Sequence, residues 1–110
     1  MKRFKTTVTR TDEYIIEVDE NVIDEQWMDD FRHVFFDLHT LYEHAEHLAQ
    51  IRARMGEGFI EGYGNLKVNG KLPWHVTKSQ KENRLPCEDA FNIIIKSEDQ
   101  DCEIEVEEIE

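Results

Sequence analysis

The stretch Thr40-Leu41-Tyr42-Glu43-His44-Ala45-Glu46-His47-Leu48-Ala49-Gln50-Ile51-Arg52-Ala53-Arg54-Met55-Gly56 decides the fold class. Thr40 followed three residues later by Glu43 fits a capping box, in which the hydroxyl and the carboxylate each satisfy an otherwise unpaired backbone N–H. Leu41, Ala45, Leu48, Ile51 and Met55 recur at helical spacing and mark an inner stripe. Arg52 and Arg54 stand near the negative C-terminal end, and Gly56 can take a left-handed cap. The pattern predicts a helix over 41–55.

Moving upstream, Trp27, Phe31, Val34, Phe35 and Leu38 fall at i, i+4, i+7, i+8 and i+11, an amphipathic helix that begins near Asp24 and covers a sheet. Before it, Phe4, Thr6 and Val8 alternate with polar residues, and Tyr14, Ile16 and Val18 do so again. With Arg10-Thr11-Asp12-Glu13 between them, they predict two antiparallel strands joined by a turn. Downstream, Gly56, Gly58, Gly62 and Gly64 space out Phe59, Ile60 and Tyr63, which requires backbone freedom and a tight turn against the sheet. No Gly-Lys-Ser/Thr or dinucleotide fingerprint follows, so these glycines do not form a phosphate loop. Residues 69–90 contain Asn69-Gly70, Pro73 and Pro86 without a sustained period, and read as a short hairpin followed by a long, mobile loop. Phe91, Ile93 and Ile95 restore the alternation, and a turn over 97–100 leads to a last strand. The expected order is β-β-α-α-loop-β-β: one α+β domain over 1–110, with an antiparallel sheet of about four strands and two helices on one face.

The chain has 110 residues, 25 acids against 13 Lys and Arg, a net charge of -12 and 39% hydrophobic residues. That is the length of a single domain, and the apolar residues come in periodic runs that can form a small core. No stretch approaches the roughly 18 uncharged apolar residues of a membrane span, so a cytoplasmic protein is expected. Cys87 and Cys102 have no Cys-x-x-Cys spacing and read as thiols of a reducing compartment.

The acid is unevenly placed. Residues 1–10 carry +4, 11–31 carry -9, 66–87 carry +4 and 97–110 carry -8. A chain this acidic is repelled by DNA, since phosphate affinity rests on Lys and Arg; its electrostatic partners are basic surfaces, many of which belong to nucleic-acid-binding proteins. At the C-terminal end, Cys102, Ile104 and Val106 alternate with Glu103, Glu105 and Glu107, the pattern of a half-buried strand. Same-face side chains repeat about every 6.8 Å along a strand, so the three glutamates form a straight anionic row able to imitate phosphates.

Four of the five histidines, His33, His39, His44 and His47, cluster in sequence. His44-Ala45-Glu46-His47 is neither His-Glu-x-x-His nor His-x-x-Glu-His, so the spacing that aims two imidazoles at one zinc is missing. The expectation is that His47 pairs with Glu43 one turn earlier and that His44 lines the edge of the buried stripe. Neither cysteine sits where its thiol would be activated, so no catalytic residue, metal or cofactor is assigned. Trp74, in Pro73-Trp74-His75-Val76 of the basic loop, is either a partner anchor or, as the favoured expectation, a side chain tucked onto the sheet edge.

The run Glu43 to Arg54, followed by Phe59-Ile60-Glu61-Gly62-Tyr63-Gly64, resembles small acidic proteins carried by conjugative and other mobile elements of Gram-positive bacteria. The opening Thr9-Arg10-Thr11-Asp12-Glu13-Tyr14 and the glutamate-rich end are similar too. Such elements carry anti-defence genes, and the chain is similar to type II anti-CRISPR proteins in being small, acidic and without catalytic residues. The resemblance implies a non-enzymatic inhibitor that occupies a basic groove of a CRISPR effector nuclease and blocks guide RNA or target DNA. The partner-binding residues expected are Asp12, Glu13, Glu17, Asp19, Glu20, Asp29 and Asp30 in the first acidic block. In the second they are Glu98, Asp99, Asp101, Glu103, Glu105, Glu107 and Glu108, and Trp74 is added to both. No direct DNA or membrane binding is expected. The alternative is an accessory interaction module of the mobile element that binds through the Trp74 loop or dimerises through an edge strand.

Overall fold

The computed structural model describes residues 1–56, 58–98 and 102–109. The elements in order are β1 (Arg3–Thr9), β2 (Glu13–Val18), α1 (Glu25–Val34), α2 (Leu41–Met55), β3 (Lys67–Val68), α3 (Lys78–Glu82), α4 (Pro86–Ala90), β4 (Phe91–Ser97) and β5 (Glu103–Ile109). The class is α+β, but the strands form two sheets: β2, β4 and β3 in one, β1 and β5 in the other.

The expected hairpin between the first two strands does not form. β1 pairs antiparallel with β5, from Arg3 opposite Ile109 to Thr9 opposite Glu103, whereas β2 pairs antiparallel with β4, from Glu13 opposite Ser97 to Val18 opposite Phe91. The residues between β1 and β2 do not reverse the chain; they join successive segments of one long track, matched across by β4 and β5. Sixteen residues from Arg3 to Val18 at a rise of about 3.4 Å span roughly 54 Å, close to the molecule's longest dimension of 55 Å. β3 adds to β4 in parallel, which the expected all-antiparallel sheet lacked.

Asp24 caps α1 by accepting from the Trp27 N–H at 2.9 Å, as its position predicts. The helix stops at Val34, one turn before Leu38. Arg32 donates to the Leu38 carbonyl at 3.3 Å, and Phe36 packs on His47 with ring centroids 4.7 Å apart, so tertiary contacts replace the last turn. α2 has the predicted bounds. Its Thr40 hydroxyl accepts from the Glu43 N–H at 3.1 Å, but the Glu43 carboxylate reaches back to the N–H of His39 rather than that of Thr40.

The core lies between these helices and the inner face of β2 and β4: Ile23, Met28, Phe31, Leu48, Ile60, Tyr63, Leu66, Ala90, Phe91 and Ile93. Leu41, Leu48 and Ile51 of the expected inner stripe of α2 pack on the core. His44 and Leu48 are fully buried, and Met55 is exposed. The glycine-rich stretch folds back tightly, with Ile60 bridged to Gly64. At Gly62, where φ is +90°, a Cβ would lie 2.5 Å from the Phe31 ring, so both conformation and space demand glycine.

Asn69 and Gly70 both have positive φ and make a two-residue turn closed by a Val68–Lys71 bridge, the expected hairpin at its shortest. The rest of 69–90 contains two five-residue helices where a loop was expected. Their caps are local: Thr77 and Gln80 form a reciprocal capping box, and Glu88 accepts from the Leu85 N–H at 2.8 Å.

Candidate functional site

β1 and β5 pack against each other and, among the described residues, against no other element to a comparable extent. Every residue of β1 is exposed, as is all of β5 but Ile109. The pair is therefore a ribbon projecting from the body, in keeping with a radius of gyration of 17.6 Å against about 13 Å for a compact chain of this length. Directly opposed residues share a face. One face carries Glu103, Glu105 and Glu107 opposite Thr9, Thr7 and Lys5, with Arg3 and Ile109 at the tip. The other carries Ile104, Val106 and Glu108 opposite Val8, Thr6 and Phe4. The anionic row thus exists, strongest toward the body and partly offset by Lys5 and Arg3 toward the tip. The strand is not half-buried as its alternation suggested, because among the described residues the body leaves the apolar face exposed.

The remaining acids do not assemble with that row. Asp12 is paired with Arg10 at 2.7 Å and its side chain is almost covered. Glu98 bridges Arg52 at 2.8 Å and Arg10 at 3.5 Å, with its own side chain 17% exposed. These ion pairs close the junction between body and ribbon and make Asp12 and Glu98 structural. Glu13 and Glu17 lie on the outer face of β2, where Glu17 accepts from Asn92 at 2.7 Å. Asp19 holds a turn, accepting from the Asn21 N–H at 3.0 Å, and Glu20 is exposed in the same turn. Asp29 pairs with Arg32 at 3.1 Å, and Asp30 accepts from Gln26 at 2.9 Å. Asp99 and Asp101 lie outside the described residues.

Trp74 is not tucked onto the sheet edge: it is 86% exposed. The turn that carries it is firmly held. Pro73 and Val76 are buried, the Val76 N–H donates to the Pro73 carbonyl at 3.1 Å, and His75 Nε2 lies 3.3 Å from Asn65 Oδ1. The sequence does not reveal this, since Pro73 and Val76 supply the apolar anchors that the tryptophan was expected to provide.

His44 is at the centre of the core rather than its edge. Its Nδ1 is 2.6 Å from the Tyr63 hydroxyl, Phe31 and Trp27 meet its ring at 4.8 and 5.4 Å, and Nε2 has no partner among the described residues. Burial, reinforced by neighbouring His47, pushes its pKa down to about 4. His47 does not pair with Glu43, whose carboxylate caps the helix; burial lowers its pKa too. No group of three His, Cys, Asp or Glu among the described residues could hold a metal ion. Burial raises the Cys87 thiol's pKa, which opposes thiolate chemistry. No helix among the described residues is long and apolar enough to cross a membrane.

Sequence reasoning missed Glu88. It is 8% exposed and accepts from the Asn65 and Leu85 N–H groups, tying α4 to the glycine turn. Only its position three residues after Leu85 hinted at a cap. Comparison of the chain with protein-family models, curated proteins and solved structures finds no match.

Proposed function

We propose that the protein is a non-enzymatic anti-defence inhibitor, of anti-CRISPR type, that inserts its acidic ribbon into a basic nucleic-acid groove of a CRISPR effector nuclease. The observation that supports this reading is the aligned row of Glu103, Glu105 and Glu107 on a ribbon standing clear of the body. Occupancy of a positively charged channel by fixed carboxylates competes with guide RNA or target DNA without turnover or cofactor. Within the cytoplasm, that groove is the partner; direct DNA binding and membrane binding play no part.

Plasmid cleavage by a purified type II effector tests this, with protein added before or after guide loading. Inhibition that weakens as salt rises and disappears in a Glu103→Lys, Glu105→Lys, Glu107→Lys variant is expected. Inhibition unchanged by those substitutions overturns it.

A second reading is favoured by Trp74, whose exposure on an anchored turn suits an aromatic anchor of an accessory interaction module. There Trp74→Ala abolishes partner binding, and salt has little effect.

A further inference from the structure

Along α1, Trp27, Asp30, Phe31 and Val34 stand at i, i+3, i+4 and i+7 and share one face of the helix. The Trp27 and Phe31 rings stack with centroids 5.3 Å apart, and Phe35 at the helix end continues the wall 5.1 Å from Phe31. This wall lines an open groove of about 350 Å³, where Val34 is 72% and Phe35 37% exposed. A second groove of about 420 Å³ is lined again by Trp27 and Asp30, with Leu85 and Pro86 on its far side. Asp30 therefore stands where two largely apolar hollows meet.

Charge on this wall selects the occupant. The Asp30 carboxylate accepts from the neutral Gln26 amide at 2.9 Å and has no ion pair among the described residues. Asp24, the other acid of the second groove, is engaged in capping α1. Among the described residues, no Lys, Arg or His lines either groove, and Arg32, the closest base along the helix, is held by Asp29 and the Leu38 carbonyl. An anionic segment is repelled here, and a purely apolar one covers Asp30 without offering it a donor, at a desolvation cost. A cation on an aromatic wall is attracted by the rings and meets the carboxylate. Guanidinium suits the wall better than ammonium, because it is planar, weakly hydrated and able to stack on a ring while donating two parallel hydrogen bonds to one carboxylate. Free arginine brings a carboxylate of its own and nothing to fill the hollows; an arginine between apolar residues fills both.

We propose that the two grooves form a docking site for an arginine of a protein partner, its guanidinium on the aromatic wall and paired with Asp30, its apolar neighbours in the hollows on either side. The site lies on the body and is independent of the inhibitor reading, which uses the ribbon.

NMR titration of the full chain with the peptide acetyl-Leu-Arg-Leu-amide, carried to tens of millimolar, tests it. Saturable shifts are expected at the Trp27 indole N–H and at the Asp30 and Val34 amides. The citrulline and lysine analogues of the peptide, and free arginine, should bind several-fold more weakly. Asp30→Asn should lower the affinity of the arginine peptide to that of the citrulline one. Val34→Lys, which sets a cation one turn from Asp30, should weaken it as well. Both variants should keep the parent's thermal transition, and Glu105→Lys on the ribbon should bind like the parent. Shifts that do not saturate or that centre on the ribbon glutamates, equal binding of citrulline peptide, lysine peptide or free arginine, or full affinity in Asp30→Asn or Val34→Lys would overturn the proposal.

Discussion

The body and the ribbon are written in the same period-two code and end in opposite environments. β4 alternates Phe91, Ile93 and Ile95 with polar or less buried residues, and Phe91 and Ile93 are almost completely covered. β5 alternates Ile104 and Val106 with glutamates just as regularly, and both remain about 60% exposed. What differs is the layer above: Leu48 of α2, Phe31 of α1 and Tyr63 of the glycine turn lie over β2 and β4, while among the described residues no helix packs on β1 or β5 to a comparable extent. Alternation selects a strand and its two faces; it does not supply the surface against which one face is buried.

The largest test of this contrast is Leu48→Ala. Leu48 is 0% exposed, so truncation leaves a core cavity and should cost about 2–5 kcal/mol in urea unfolding. A loss as small as a surface substitution would mean that the body is as open as the ribbon.

Next comes pH, which should act on the body alone. His44 titrates near 4 in the folded protein against about 6.5 unfolded. The folded state thus binds fewer protons, so stability is full above pH 6.5 and declines as pH falls toward 4. Lowering pH from 7.5 to 5 should remove about 2 kcal/mol through His44, with His47 contributing in the same direction. The dependence over this range should largely vanish in His44→Leu, although that variant starts from lower stability because the Tyr63 hydroxyl loses its partner. An undiminished dependence would move its origin elsewhere. β1 and β5 contain no histidine, so their amide exchange should not follow this titration.

The smallest effect belongs to the ribbon. Ile104→Ala should change the thermal midpoint of the body by an amount equivalent to no more than about 0.5 kcal/mol, since the side chain is 60% exposed. Amides of β1 and β5 should exchange far faster than those of β4 under the same conditions. Equal protection would show that the ribbon unfolds only with the body.

Much of the local structure was legible because its causes are local. Asp24 and Thr40 announce their helices through hydroxyl or carboxylate caps, and Asn69-Gly70 announces its turn through positive φ. The glutamate row was legible for the same reason, as a period of two needs only a strand. Other features rest on contacts distant in sequence. His44 looked peripheral because Tyr63, its partner, is nineteen residues away. Glu98 read as a surface acid because Arg52 and Arg10, 46 and 88 residues away, meet it only after the strands pair. Trp74 stands in solvent because the neighbours that anchor its turn, Pro73 and Val76, are the buried ones.

By itself, the sequence determined where the longer helices and strands form, which charges cluster along the chain, and that Glu103, Glu105 and Glu107 share a face; propensity, capping and backbone periodicity act within a few residues. Only the tertiary structure decided that the first strand pairs with the last instead of its neighbour, that the ribbon so formed leaves the body, and that acids adjacent in sequence part company in space. Pairing between β1 and β5 joins residues about a hundred positions apart, and that choice depends on the loop-closure entropy and packing of everything between them.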